Sequence, residues 1–96
     1  MPAAKNYFVY ILEVASGNYY TGITTDLKRR FQEHCSGKKG AKYTRSFRPI
    51  KIAQSWKFKG ARGNAQSIEA FIKKQPRKTK IKFIKQPRQL LKLYYK

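Results

Sequence analysis

Apolar and aromatic side chains fill residues 7–14, YFVYILEV, almost without a polar break. A run this rich in β-branched and aromatic residues predicts a strand. Ser16, Gly17 and Asn18 follow as turn residues, and Gly17 can take a positive φ. Residues 19–24, YYTGIT, read as the returning strand of a β-hairpin. Gly22 inside it marks a close backbone approach or a bend. The period then changes. Leu27 and Phe31, four apart, make the apolar stripe of a helix over about residues 26–35. Thr24 or Thr25 is the expected cap, Asp26 suits the first turn, and Gly37 is the expected stop. Residues 36–48 form a basic loop leading to Pro49. Residues 50–58, IKIAQSWKF, alternate as a third strand, with Ile50, Ile52, Gln54, Trp56 and Phe58 on one face and Gln54 its polar exception. GARGN at 60–64 predicts a turn, and Asn64 the cap of a second helix over about Ala65–Lys74. Ile68, Phe71 and Ile72 supply that helix's apolar face, and Pro76 stops it. A short helix on Ile81 and Ile84 is expected over 78–85, with a strand as the alternative. Another is expected over 88–94, opened by Pro87 and packed by Leu90, Leu91 and Tyr94.

These elements describe an α/β (α+β) fold: a small, mainly antiparallel three-stranded sheet with flanking helices, in the order β-β-α-β-α plus a C-terminal helical segment. With 96 residues the chain affords one small core, so a single domain over 1–96 is expected. Its core would span about 7–84, with an extension over 85–96. The hydrophobic fraction of 41% is too high for a simple basic tail. Charge changes the picture most. The chain has 23 Lys plus Arg against 4 Asp plus Glu, a net charge of +19. Basic residues run along its whole length, in KRR at 28–30, KK at 38–39, KK at 73–74 and RKTKIK at 77–82. Such an excess points to a polyanionic partner, first of all nucleic acid, with ribosomal and membrane surfaces as rivals and plain solubility as the alternative. No run reaches 18 apolar residues, so no helix is expected to span a bilayer. The N-terminal segment lacks a clear signal cleavage site. The single Cys excludes an intrachain disulfide framework and suits a reducing, cytoplasmic setting.

Few residues are left to carry chemistry. His34 and Cys35 have no second pair of metal ligands, which argues against a zinc site, and their adjacency on a helix makes a poor nucleophilic pair. There is no phosphate-binding glycine loop. What remains is Tyr10 and Tyr20 on the two hairpin strands, Arg30 and His34 four apart on the following helix, and Glu69 on the second helix. This set suits phosphodiester hydrolysis. Glu69 would hold a divalent cation, Arg30 would clamp the scissile phosphate, and a Tyr would position or deprotonate water. A tyrosine's ordinary pKa of about 10 is the obstacle, which nearby cations would have to lower. The plainer readings are that Glu69 pairs with Lys73, that Arg30 and His34 form a solvated face, and that Tyr7 and Tyr19 only pack. Lys28, Arg29, Lys38, Lys39, Lys42, Arg45, Lys73 and Lys74 are the candidate nucleic-acid contacts.

These residues carry a resemblance. Phe8-Val9-Tyr10 and Tyr20-Thr21-Gly22, followed by Arg30, His34, GAKYTR at 40–45, Pro49 and Glu69, resemble the GIY-YIG nuclease superfamily. Within it the likeness is to small stand-alone domains related to the nuclease module of bacterial excision repair. It covers about residues 7–84 and rests on motifs, order and spacing together. It implies Mg²⁺- or Mn²⁺-dependent cleavage of DNA with low sequence specificity, in repair or recombination. The implied catalytic residues are Tyr10, Tyr20, Arg30 and His34, with Glu69 as metal ligand. DNA, including structured or branched DNA, is the expected partner, with RNA second. Phe8 stands where the first motif has glycine, and Thr21 where the second has isoleucine. The asparagine that many members carry after the metal glutamate has no match, since Ala70 and Phe71 follow Glu69. Two readings stay open: an endonuclease, or a non-catalytic nucleic-acid-binding domain on the same fold.

Overall fold

The hairpin is built around a strand apolar on both sides. In the computed structural model, which describes residues 5–36, 48–60 and 62–95, strand β1 spans Asn6–Val14 and strand β2 spans Tyr19–Thr24. Gly17 makes the turn at φ 86°, where a side chain would be strained. Strand β3, Pro49–Lys59, pairs with the other edge of β1, so the sheet is antiparallel in the order β2-β1-β3. The central strand explains the unbroken apolar run: Val9, Tyr10, Ile11, Leu12 and Val14 are all buried, because both faces of the sheet are covered.

One face meets helix α1, Leu27–Ser36, whose Leu27 and Phe31 pack, together with Tyr20 and Ile52, on Tyr10, Leu12 and Val14. The opposite face carries helices α2 (Arg62–Lys73), α3 (Arg77–Lys85) and α4 (Arg88–Tyr94). There Ala65, Ile68, Ile72, Phe83 and Leu90 close over Val9, Ile11 and Trp56. Fully burying an isoleucine, leucine or phenylalanine side chain contributes roughly 1.5–3 kcal/mol, so the helical layer is held mainly by Ile68, Ile72, Phe83 and Leu90. Two polar bonds set its position: Gln54 Nε2 donates to the Ile84 carbonyl at 3.0 Å, and Trp56 Nε1 to the Pro87 carbonyl at 2.9 Å. Among the described residues no helix is long and apolar enough to cross a membrane.

Several local expectations are corrected. Asp26, not a threonine, caps α1: its Oδ1 accepts the Arg29 N–H at 3.1 Å, while Thr24 Oγ1 accepts the Asp26 N–H. Residue 37, the expected stop of α1, lies outside the described residues. The alternation of β3 is broken twice, because the register against β1 shifts between Ile11 and Leu12 and again between Glu13 and Val14. Each slipped residue reverses the facing of what lies beyond it. Trp56 and Phe58 therefore pack under the helical layer, Ile52 packs on the α1 side, and Ile50 is 52% exposed. Helix α2 begins at Arg62, so Asn64 lies inside it; Gly60, just past β3, takes a positive φ of 111°. The segment 77–85 is a helix whose deepest anchor is Phe83 rather than Ile81 or Ile84, and in α4 Leu91 faces outward while Leu90 is buried.

Candidate active site

The face of the sheet under α1 gathers four of the singled-out side chains. Tyr10 stands on the central strand opposite Gly22, and strand partners share a face. A Cβ added at Gly22 would run into the Tyr10 hydroxyl and ring. The glycine thus lets the phenol lie across β2 instead of standing away from it. Tyr20, two residues before Gly22 on β2, faces the same side. Its ring centroid is 6.5 Å from that of Tyr10 and 5.3 Å from that of His34, the latter pair edge to face.

Helix α1 supplies the rest. His34 is its one fully buried side chain, 1% exposed, and its Nε2 is hydrogen-bonded to the Tyr10 hydroxyl at 2.9 Å. Arg30, one turn earlier, lies near enough to the Tyr10 phenol to favour its ionised form. Its Nη1 is held by Glu33 Oε1 at 3.1 Å. Arg29 approaches the other oxygen of Glu33 at 3.9 Å. Glu33 was not singled out from sequence. Its spacing three residues from Arg30 was the available signal, but such pairs are common on any charged helix.

The electrostatics follow from burial. Desolvation pushes the Tyr10 hydroxyl up to about 12, against the pull of the Arg30 guanidinium. The cations therefore do not overcome burial, contrary to what an activated phenolate in the free protein would need. Desolvation, helped by the Arg30 charge, lowers His34 to about 4. Burial also works against the charge of Arg30, but its hydrogen bond to Glu33 and the nearby Tyr10 hydroxyl outweigh it and hold its pKa up. At neutral pH the site is thus a neutral phenol on a neutral imidazole, beside a fixed guanidinium. His34 and Arg30 do not form a plain solvated face.

Glu69 arrives differently. Its helix, α2, is rooted through Ala65, Ile68 and Ile72 in the face of the sheet opposite Tyr10. Helix α2 nevertheless packs against both β1 and β2, the edge strand across which Tyr10 leans. The Glu69 carboxylate is close enough to be among the charges that raise Tyr10. It also pairs with Lys73 Nζ at 3.6 Å. Glu69 offers one hard oxygen donor, and among the described residues no group of three His, Cys, Asp or Glu side chains could enclose an ion. That donor set fits Mg²⁺ bound through one carboxylate, waters and substrate phosphates, and does not fit a closed zinc site. Lys28 and Arg29 are exposed on α1; Lys73 and Lys74 stand at the end of α2 and just past it. Lys38, Lys39, Lys42 and Arg45 lie outside the described residues. Cys35 is exposed beside the site.

In a three-stranded antiparallel sheet, the hairpin tyrosines thus meet an arginine and a histidine from the next helix. The chain belongs to the GIY-YIG family: residues 6–82 match the GIY-YIG catalytic domain. Similar proteins include a UPF0213 protein of Streptococcus agalactiae serotype V, 44% identical over 82% of this chain and 88% of that protein. A UPF0213 protein of Syntrophus aciditrophicus is 47% identical over 86% of this chain and 93% of its own. The solution NMR structure of a UPF0213 protein from Bacillus halodurans has 41% sequence identity and a TM-score of 0.53, covering 83% of each chain.

Proposed function

We propose that this protein hydrolyses phosphodiester bonds in DNA, with Mg²⁺ or Mn²⁺ as cofactor and with little sequence preference, in repair or recombination. The observation that carries the reading is the buried Tyr10–His34 hydrogen bond with the Arg30 guanidinium near the same phenol. Tyr10 is the general base or water-positioning group. In the neutral tautomer that carries its proton on Nδ1, His34 accepts the Tyr10 O–H at Nε2 and so fixes the direction in which the phenol oxygen faces the cleft. Arg30, held by Glu33, donates to the scissile phosphate and balances the extra charge of its transition state. Tyr20 shares the cleft as a second positioning group. Glu69 would hold the cation, which supplies Lewis-acid polarisation of the phosphate and neutralises its charge.

A second reading has its own support. Glu69 is engaged by Lys73, and the asparagine position after it is unmatched, which suits a domain that binds nucleic acid without turnover. The experiment that decides is nicking of plasmid, flap and branched DNA with Mg²⁺ or Mn²⁺ against a chelator control. Arg30→Ala and Glu69→Gln are each expected to slow cleavage by about a hundredfold or more, with DNA binding by Glu69→Gln kept or strengthened. If wild type cuts none of these substrates, the binding domain is the better reading. If Glu69→Gln cuts as well as wild type, Glu69 does not hold the metal.

A further inference from the structure

A second cationic feature lies on the other face of β2, at the hairpin tip. Asn18, Tyr19, Arg77 and Lys80 line a cleft of about 200 Å³ there. Arg77 is fixed twice: its Nη1 donates to the Gly17 carbonyl at 2.6 Å, and its guanidinium stacks 4.9 Å over the Tyr19 ring. One bond leaves the other N–H donors of the guanidinium unspent on Gly17. Lys80 follows three residues on along α3, so the two cations are neighbours on one helix face. Like charges at this spacing repel. Among the described residues the ion pairs are Arg29–Glu33, Arg30–Glu33 and Lys73–Glu69, and none reaches Arg77 or Lys80. Glu13, directly across from Tyr19 in the ladder, makes none of these pairs.

We infer that this cleft is a phosphate subsite, in which Arg77 and Lys80 hold a backbone phosphodiester of the polynucleotide away from the bond that is cut. The inference rests on the nuclease reading for its ligand. Its geometry follows from β2 being an edge strand. Tyr19 and Tyr20 are successive, so one faces the Arg77 cleft and the other the Tyr10–His34 site. A polynucleotide that passes the β2 edge meets both. The pre-set guanidinium lowers the ordering cost of gripping a phosphate, and a planar fork suits two phosphate oxygens.

The test is DNA binding without metal, so that it stands apart from cleavage. Fluorescence anisotropy of a labelled duplex is measured for wild type, Lys80→Gln, Arg77→Gln and Lys92→Gln, the last an exposed lysine on α4. Lys80→Gln is expected to weaken binding by about tenfold at low salt and to reduce the slope of log affinity against log salt by about one. Lys92→Gln is expected to cost less than about threefold. Because Arg77 also ties α3 to the hairpin, its melting temperature is recorded with its affinity, and Lys80→Gln serves as the variant without that tie. Equal losses for Lys80→Gln and Lys92→Gln would overturn the subsite while leaving cleavage untouched. Loss at Lys80 with no cleavage by wild type would uphold the subsite and remove the nuclease reading. Titration with inorganic phosphate separates the sources of the anion: saturable binding at low millimolar phosphate that Lys80→Gln abolishes would assign the cleft to free phosphate and overturn the backbone role.

Discussion

His34 is the residue on which the site turns, because a nearly fully buried imidazole resists protonation. Its pKa of about 4 lies well below the 6.5 of an unburied histidine, and desolvation is the main cause. As pH falls below about 6.5, the unfolded chain takes up a proton that the folded chain refuses until about pH 4. Stability is therefore expected to be flat above that window, as far as this group is concerned, and to fall as pH drops through it. A gap of this size corresponds to about 3 kcal/mol. Few other groups compete, since the chain has only 4 Asp plus Glu. Denaturant unfolding at pH 7 and pH 4.5 measures the effect, and His34→Gln is expected to remove most of the difference. Equal pH sensitivity in wild type and His34→Gln would show that another group is responsible. The sequence pattern already brought Tyr10, Tyr20, Arg30 and His34 toward one face, because hairpin pairing and the i,i+4 rule are local. It did not show that burial would hold the phenol neutral, since desolvation depends on everything packed around it.

At the scale of elements, the hairpin matters through what β2 leaves out. Gly22 has no side chain where Tyr10 crosses, and Tyr10 is 2% exposed and tied to His34. The phenol thus has little room to swing aside. Gly22→Ala is expected to destabilise the fold by about 1–3 kcal/mol and to break the Tyr10–His34 bond. Cleavage is expected to fall by about tenfold or more, and the His34 ring signals in NMR to shift. An alanine variant with unchanged melting temperature and imidazole shifts would mean the ring is not held against this glycine. The role of Gly22 was half legible: a glycine inside a strand announces a close approach, but not which side chain approaches. The bulges of β3 were not legible at all. IKIAQSWKF alternates well enough to suggest one face, and only pairing with β1 shows that Ile52 and Trp56 look opposite ways. The helices were easier, because Ile68 and Ile72 declare their buried side by period alone.

For the whole molecule, the charge has a distribution as well as a size. Glu69 is the last acid in the chain, and the segment after it contains Lys73, Lys74, Arg77, Lys78, Lys80, Lys82, Lys85, Arg88, Lys92 and Lys96 with no acid among them. Most of these stand on α2, α3 and α4, the layer behind the sheet as seen from Tyr10. The α1 layer adds Lys28 and Arg29, so cations border both faces of the small sheet. Such a body is expected to bind duplex DNA at micromolar concentration or tighter in low salt, chiefly by releasing counterions. The plot of log affinity against log salt is expected to slope at about −4 or steeper, the mark of several neutralised phosphates. Because phosphate contacts carry no base information, mixed, AT-rich and GC-rich duplexes are expected to bind within about threefold of one another. Titrations of the three duplexes across a range of salt concentrations measure both quantities. A sharp preference for one sequence would require side chains that read base edges, and absence of binding at low salt would mean that the net charge of +19 serves a partner other than nucleic acid.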